Sequence, residues 1–168
     1  MTSRRQPARR GGKNTYAPVS GLCGYAILLG LVHPGWFWGK ARSEIDAIHL
    51  GDMEILTCPG QLDAETLYGG IETPEGQDFA IAPVEEPALI ARMRGKINMA
   101  TGLADDEIGY IIPKSQRDTE PPYAYGRTDK PQYGEENSGG PDVAPAYHRE
   151  ALAILDRLHR AVDKAYDE

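Results

Sequence analysis

Two cysteines in 168 residues, Cys23 and Cys58, exclude a disulfide scaffold and a cysteine-rich zinc site. Histidine is nearly as scarce. His33, His49, His148 and His159 are scattered, and no pair has the HxH or HxxxH spacing of a metal site. Any metal would therefore have to use His, carboxylate or Tyr oxygen. There is no GxSxG elbow and no P-loop, so neither an α/β-hydrolase serine nor a phosphate cradle is encoded. No apolar run reaches the roughly 20 residues of a membrane-spanning helix. Internal repeats are absent, and residues 1–43 hold no acid at all.

What is present suits one modest soluble domain. Hydrophobic residues make up 40% and charged residues 26%, while 19 Gly and 13 Pro point to many turns and irregular loops. The net charge of −7 hides an asymmetry: seven of the 18 Lys/Arg precede residue 44, leaving 11 against 25 Asp/Glu, or −14, for the rest. An acidic body argues against nucleic acid as a partner. The basic head, residues 1–16, is Gly/Pro-interrupted and reads as disordered. Residues 17–168 are then a single domain. The run 22–32 after a basic stretch has the outline of a signal peptide. The basic region is long for one, and His33-Pro34-Gly35-Trp36-Phe37-Trp38 follows without a small-x-small cleavage site. A buried helix over 18–32, ended by Pro34, is the favoured reading. Trp36, Phe37 and Trp38 then form a short linker that plugs into a core.

Alternation over 44–50 predicts a strand with Ile45, Ala47 and His49 on one face. Gly51-Asp52 is a turn, so 53–58 is its hairpin partner. Pro59-Gly60 ends that strand, and 62–68 reads as a short helix, leaving Gln61 at a strand-to-helix junction. Residues 70–86 read as mostly loop, and 87–95 as a helix opened by Pro87. Strands are expected over 97–103 and 107–112, with Asp105-Asp106-Glu107 turning between them. A long Tyr/Pro-rich loop covers 113–141. The helix over 142–166 is the clearest element, capped by Asp142 and striped by Tyr147, Ala151, Ile154, Leu155, Leu158, Val162 and Ala165. His148 and His159 fall on it as surface residues. The fold class is α+β (mixed α/β): a mixed sheet, the long loop and a C-terminal amphipathic helix.

Three groups could carry chemistry. Gln61 follows a glycine that lets the backbone turn sharply at a sheet edge, where active groups often sit. A plain strand-ending turn is the favoured reading of these residues by themselves. Tyr110 breaks an apolar strand with a phenol, which fits rim packing or a phenolate ligand. Tyr123, Tyr125 and Tyr133 share the long loop with Glu135, Glu136 and Asn137. Such a cluster suits a polar substrate or an oxyanion, or serves as rigid loop filler.

PGQL at 59–62, GLADDEIGYIIPK at 102–114 and YGEENSGGPDVAP at 133–145 resemble the neutral/alkaline (non-lysosomal) ceramidase family. The likeness is closest to its short bacterial members and covers about residues 36–160. The resemblance implies part of a zinc amide hydrolase that cleaves an N-acyl bond with zinc-activated water. It implies that Gln61 stands at a zinc ligand position held by glutamate in the family. It also makes Tyr110 a second zinc ligand and Tyr133 the catalytic group that stabilises the tetrahedral intermediate. Tyr123, Tyr125 and Glu135 would contact substrate, an acyl amide or lipid-like small molecule. The family's two histidine ligands and serine-bearing loop lie upstream of these motifs. The chain is therefore expected to be the C-terminal part of a catalytic domain whose N-terminal half lies elsewhere. Asp105 stands where relatives use Asn. Family members are often exported. A non-catalytic binding protein derived from the family is the alternative, because Gln61 removes the charge that holds a divalent ion.

Overall fold

The computed structural model describes residues 13–18, 36–37, 40–74, 82–118, 120–121, 123, 125–126 and 129–167. Backbone pairing begins inside the segment expected to be a disordered head. Lys13–Pro18 (β1) and Trp36–Phe37 (β2) both pair antiparallel with Lys40–Ile45 (β3), in the order β1-β3-β2. The register runs from Lys13 opposite Ile45 to Pro18 opposite Lys40. The head is thus ordered from Lys13, and Trp36 opens a strand rather than a linker. Both corrections have one cause: composition does not reveal where a backbone N–H finds its acceptor. The helix expected over 18–32 lies outside the described residues, apart from Pro18 in β1, and so does Trp38.

The predicted hairpin forms. Ala47–Leu50 (β4) pairs antiparallel with Met53–Thr57 (β5), and Gly51 takes the positive φ of +62° that opens the two-residue turn. Asp46 interrupts the strand before β4. Its N–H donates to Thr57 Oγ1 at 2.7 Å, while Thr57 N–H donates back to Asp46 O at 2.9 Å. Gln61–Leu62 (β6) is a short strand of its own, so the helix shrinks to Ala64–Tyr68 (α1). Asp63 caps α1 by accepting the Glu65 N–H at 2.9 Å.

The helix expected over 87–95 is instead a single 3₁₀ turn, Leu89–Arg92. A second turn has no room, because the Arg94 N–H is held by the Glu54 carboxylate at 2.7 Å and the chain must then enter the next strand. That strand, Ile97–Thr101 (β7), runs parallel to β5, giving the sheet order β4-β5-β7. The strand expected over 107–112 reduces to Tyr110–Ile111 (β8), which pairs parallel with β6. The long loop contains a 3₁₀ turn, Lys114–Gln116, and a one-turn helix, Tyr133–Glu136 (α2).

Val143–Tyr166 (α3) lies against β1, β4 and the first 3₁₀ turn. Its stripe buries Tyr147, Ala151, Ile154, Leu155 and Leu158, while Val162 is half-buried and Ala165 exposed. Each large apolar side chain so placed contributes about 1.5–3 kcal/mol. Leu56, Leu89 and Ile111 complete the core from the other elements. Asp142 precedes α3, but its carboxylate is taken by Lys114 Nζ at 2.6 Å rather than by the helix amides. The fold is α+β, with antiparallel and parallel pairings in its sheets. Among the described residues no helix is long and apolar enough to cross a membrane.

Candidate functional site

Three backbone segments meet where the two-stranded ladder β6-β8 lies against α2. The Gln61 N–H donates to Gly109 O at 2.9 Å, and the Asp63 N–H to Ile111 O at 3.1 Å. On the other side the Tyr110 N–H donates to Asn137 O at 3.1 Å, with a parallel bridge between Tyr110 and Ser138. Glycines permit this approach. A Cβ on Gly60 would sit 2.3 Å from Gly109 O, and one on Gly109 would sit 2.2 Å from Asn137 O. Gly109 also adopts φ +86°, a region L side chains rarely enter.

The convergence joins residues far apart in sequence. Gln61 and Tyr110 are register partners, so their side chains leave the ladder on the same side. The rings of Tyr110 and Tyr133 meet edge-to-face, with centroids 5.8 Å apart and planes at 87°. Gln61 is exposed, Tyr110 half-buried and Tyr133 66% exposed, so the trio lies on an open surface. Beside Gln61 is a mainly apolar depression of ≈ 290 Å³, walled by Leu62, Leu67, Tyr68, Ala100 and Leu103.

Tyr123 and Tyr125 line a second depression with Pro74 and Gly126. Tyr125 sits at φ +58°. Partial burial raises its phenol pKa, and the carboxylates of Glu72, Glu65, Asp63 and Glu135 push it the same way. Glu135, read from the sequence as a substrate contact, is buried at 3% exposure, and its carboxylate accepts the Asp118 N–H at 3.1 Å. Burial also raises the Asp63 carboxyl, against the lowering effect of its bond to the Glu65 N–H.

Beneath this surface lies a polar layer that the sequence did not announce. Ser115, Gln116, Arg117 and Asp118 are all buried. Gln116 Nε2 bonds Glu65 Oε2, and Ser115 Oγ donates to Glu72 O at 3.1 Å, tying the loop to α1 and its flank. Arg117 donates to Ser138 Oγ and, at 3.2 Å, to Glu135 O. Burial lowers the Arg117 pKa from its ordinary value, and the Glu135 carboxylate opposes that shift. A run of polar residues after YIIP looks like a solvated loop, so no local signal marked it.

The described histidines stand apart from this site, and His148 and His159 are not surface residues. His148 is 3% exposed, with Nε2 at 2.8 Å from Pro87 O. His159 is buried with Nε2 at 3.0 Å from Glu54 Oε1, and His49 Nδ1 lies 3.7 Å from the same oxygen. Register explains the cluster: His49 pairs with Glu54 across β4-β5, on the face that α3 covers. The helical stripe alone places His159 one residue off the apolar line, which is why it reads as surface.

Zinc does not fit the described residues by themselves. Gln61 and Tyr110 offer one neutral carboxamide oxygen and one phenol oxygen. A catalytic zinc takes three protein ligands plus water. Among the described residues no group of three His, Cys, Asp or Glu side chains is arranged to hold a metal ion. In comparisons with known proteins the chain matches no family model, no curated protein and no solved structure.

Proposed function

We propose that this chain carries one wall of an amide-hydrolase site of the neutral ceramidase type and does not hydrolyse amides by itself. The observation supporting this is the convergence of Gln61, Tyr110 and Tyr133, the three positions implicated by the family resemblance, on one open surface. A generic strand-ending turn at Gln61 and rim packing at Tyr110 would not require them to meet. An exposed phenol at Tyr133 can donate a hydrogen bond to an oxyanion that develops on an amide carbonyl. Tyr110 orients that phenol through the edge-to-face ring contact. The apolar depression next to Gln61 suits an acyl chain, so the substrate class is an acyl amide or a lipid-like small molecule. Zinc chemistry would need histidine donors from outside the described residues.

Gln61 itself favours a second reading, a binding protein of the same descent. A neutral carboxamide replaces a charged ligand and removes most of the affinity for a divalent ion. One experiment separates the two. The chain with Gln61→Glu is mixed with the histidine-bearing N-terminal half of a neutral ceramidase. Zinc content and hydrolysis of a fluorogenic N-acyl amide are then measured. The hydrolase reading expects stoichiometric zinc and turnover that Tyr133→Phe abolishes. An assembled, metal-free and inactive complex would leave the binding reading in its place.

A further inference from the structure

We propose that Arg117 is the positioning residue of the tyrosine pair. The proposal rests on the reading above, in which Tyr110 and Tyr133 are the working part of the site. Arg117 is buried at 7% exposure, and its guanidinium reaches two acceptors. One nitrogen donates to Ser138 Oγ, and the other donates to Glu135 O at 3.2 Å. These acceptors bracket the end of α2. Glu135 belongs to the turn that Tyr133 opens, and Ser138 is the bridge partner of Tyr110. Between them, Asn137 O accepts the Tyr110 N–H at 3.1 Å. The guanidinium therefore pins, at both ends, the short segment that carries Tyr133 and whose Asn137 carbonyl holds the strand that carries Tyr110.

Local forces alone would not hold this arrangement. A one-turn helix is far below the length at which helices are stable in water. No side chain caps the N-terminus of α2, whose first residue is exposed; at its other end only the Asn137 side chain helps, Nδ2 donating to Tyr133 O at 2.8 Å. The neighbouring Asp118 N–H adds a second tie by donating to Glu135 Oε2 at 3.1 Å. The same two-residue step, Arg117-Asp118, thus grips α2 from its carbonyl side and from its carboxylate side. A planar guanidinium fork can engage two acceptors in fixed geometry, which an ammonium cannot. Charge near Glu135 and placement of the ring are for that reason separable functions of Arg117.

The test uses the full chain with isotope-labelled tyrosines and reads the ring-to-ring NOE between Tyr110 and Tyr133. Arg117→Lys keeps a cation beside Glu135 but loses the fork. It is expected to remain folded, with native methyl signals from Leu56 and Ile154, while the ring NOE falls by about threefold or more. Ser138→Ala, which leaves the guanidinium in place and removes one acceptor, is expected to act in the same direction. Arg117→Met should abolish the contact; if it fails to fold, the other two variants still decide. Ring NOEs within twofold of the unaltered chain in both Arg117→Lys and Ser138→Ala would overturn the proposal. The readout needs neither metal nor substrate. Intact Arg117-dependent ring contact in a chain that fails the zinc and hydrolysis tests would refute the hydrolase reading and leave the positioning role standing.

Discussion

Gly109→Ala is the most discriminating single change at the convergence. Two costs add. A non-glycine residue in the left-handed region costs about 1–2 kcal/mol. The new Cβ, 2.2 Å from Asn137 O, then forces β8 away from the 137–138 segment. That movement strains the bonds from the Tyr110 N–H to Asn137 O and from the Gln61 N–H to Gly109 O, each worth about 1 kcal/mol net. The expected loss is therefore about 3–4 kcal/mol, a large share of a typical domain stability of about 5–15 kcal/mol. Gly51→Ala is the internal control. Gly51 has φ +62° but nothing within 4 Å of a built Cβ, so only the conformational cost of about 1–2 kcal/mol applies. Urea denaturation measures both. At a slope of about 2 kcal/mol per molar urea, the two variants should differ in midpoint by about 1 M. Coincident midpoints would show that the three segments are not held at glycine distance, and the proposed convergence would fall with them.

Three further outcomes follow from the same geometry. Burial pushes the Cys58 thiol up to about 11, so in a Cys23→Ser background a disulfide-exchange reagent at pH 8 should label Cys58 only on unfolding; rapid native labelling would refute its burial. Because the folded-state pKa of Asp63 is raised, folding favours its protonated form, and its contribution to stability grows as pH falls through that pKa. Asp63→Asn keeps the acceptor for the Glu65 N–H and should be neutral or slightly stabilising at pH 7 in thermal melts. Asp63→Ala should instead cost about 1 kcal/mol by losing the cap. Glu54→Ala leaves His159 without its partner in the core and removes the acceptor of the Arg94 N–H, and should cost about 2–4 kcal/mol by urea titration. Opening the exposed Arg92–Asp156 pair at 3.0 Å should cost no more than about 1 kcal/mol; equal losses would refute the burial argument.

Features with a local period or a local turn were legible in advance. The hairpin about Gly51-Asp52 forms because a glycine at positive φ sits between two alternating runs. The C-terminal helix is visible because its apolar spacing repeats over many turns, and a long amphipathic stripe has one way to bury itself. Asp105 shows what a local pattern conceals. Its φ is +71°, a left-handed conformation that Asn and Asp tolerate better than most residues. Short elements misled. The 3₁₀ turn Leu89–Arg92 and the one-turn helix Tyr133–Glu136 are set by bonds to Glu54 and Arg117, which are distant in sequence, and not by propensity.

The sequence by itself determined the α+β class, the principal hairpin and the amphipathic helix. Those depend on local spacing and on residue chemistry, which a single chain displays directly. Tertiary structure alone decided that Tyr110 pairs with Gln61 and packs on Tyr133, that Glu54 and His159 pair inside the core, and that Arg117 is buried against the segment that carries Tyr133. The physical reason is that a parallel ladder, a ring contact and a buried ion each join segments whose partners no local pattern specifies. A lysine-serine-glutamine-arginine-aspartate run looks solvated until the rest of the fold closes over it.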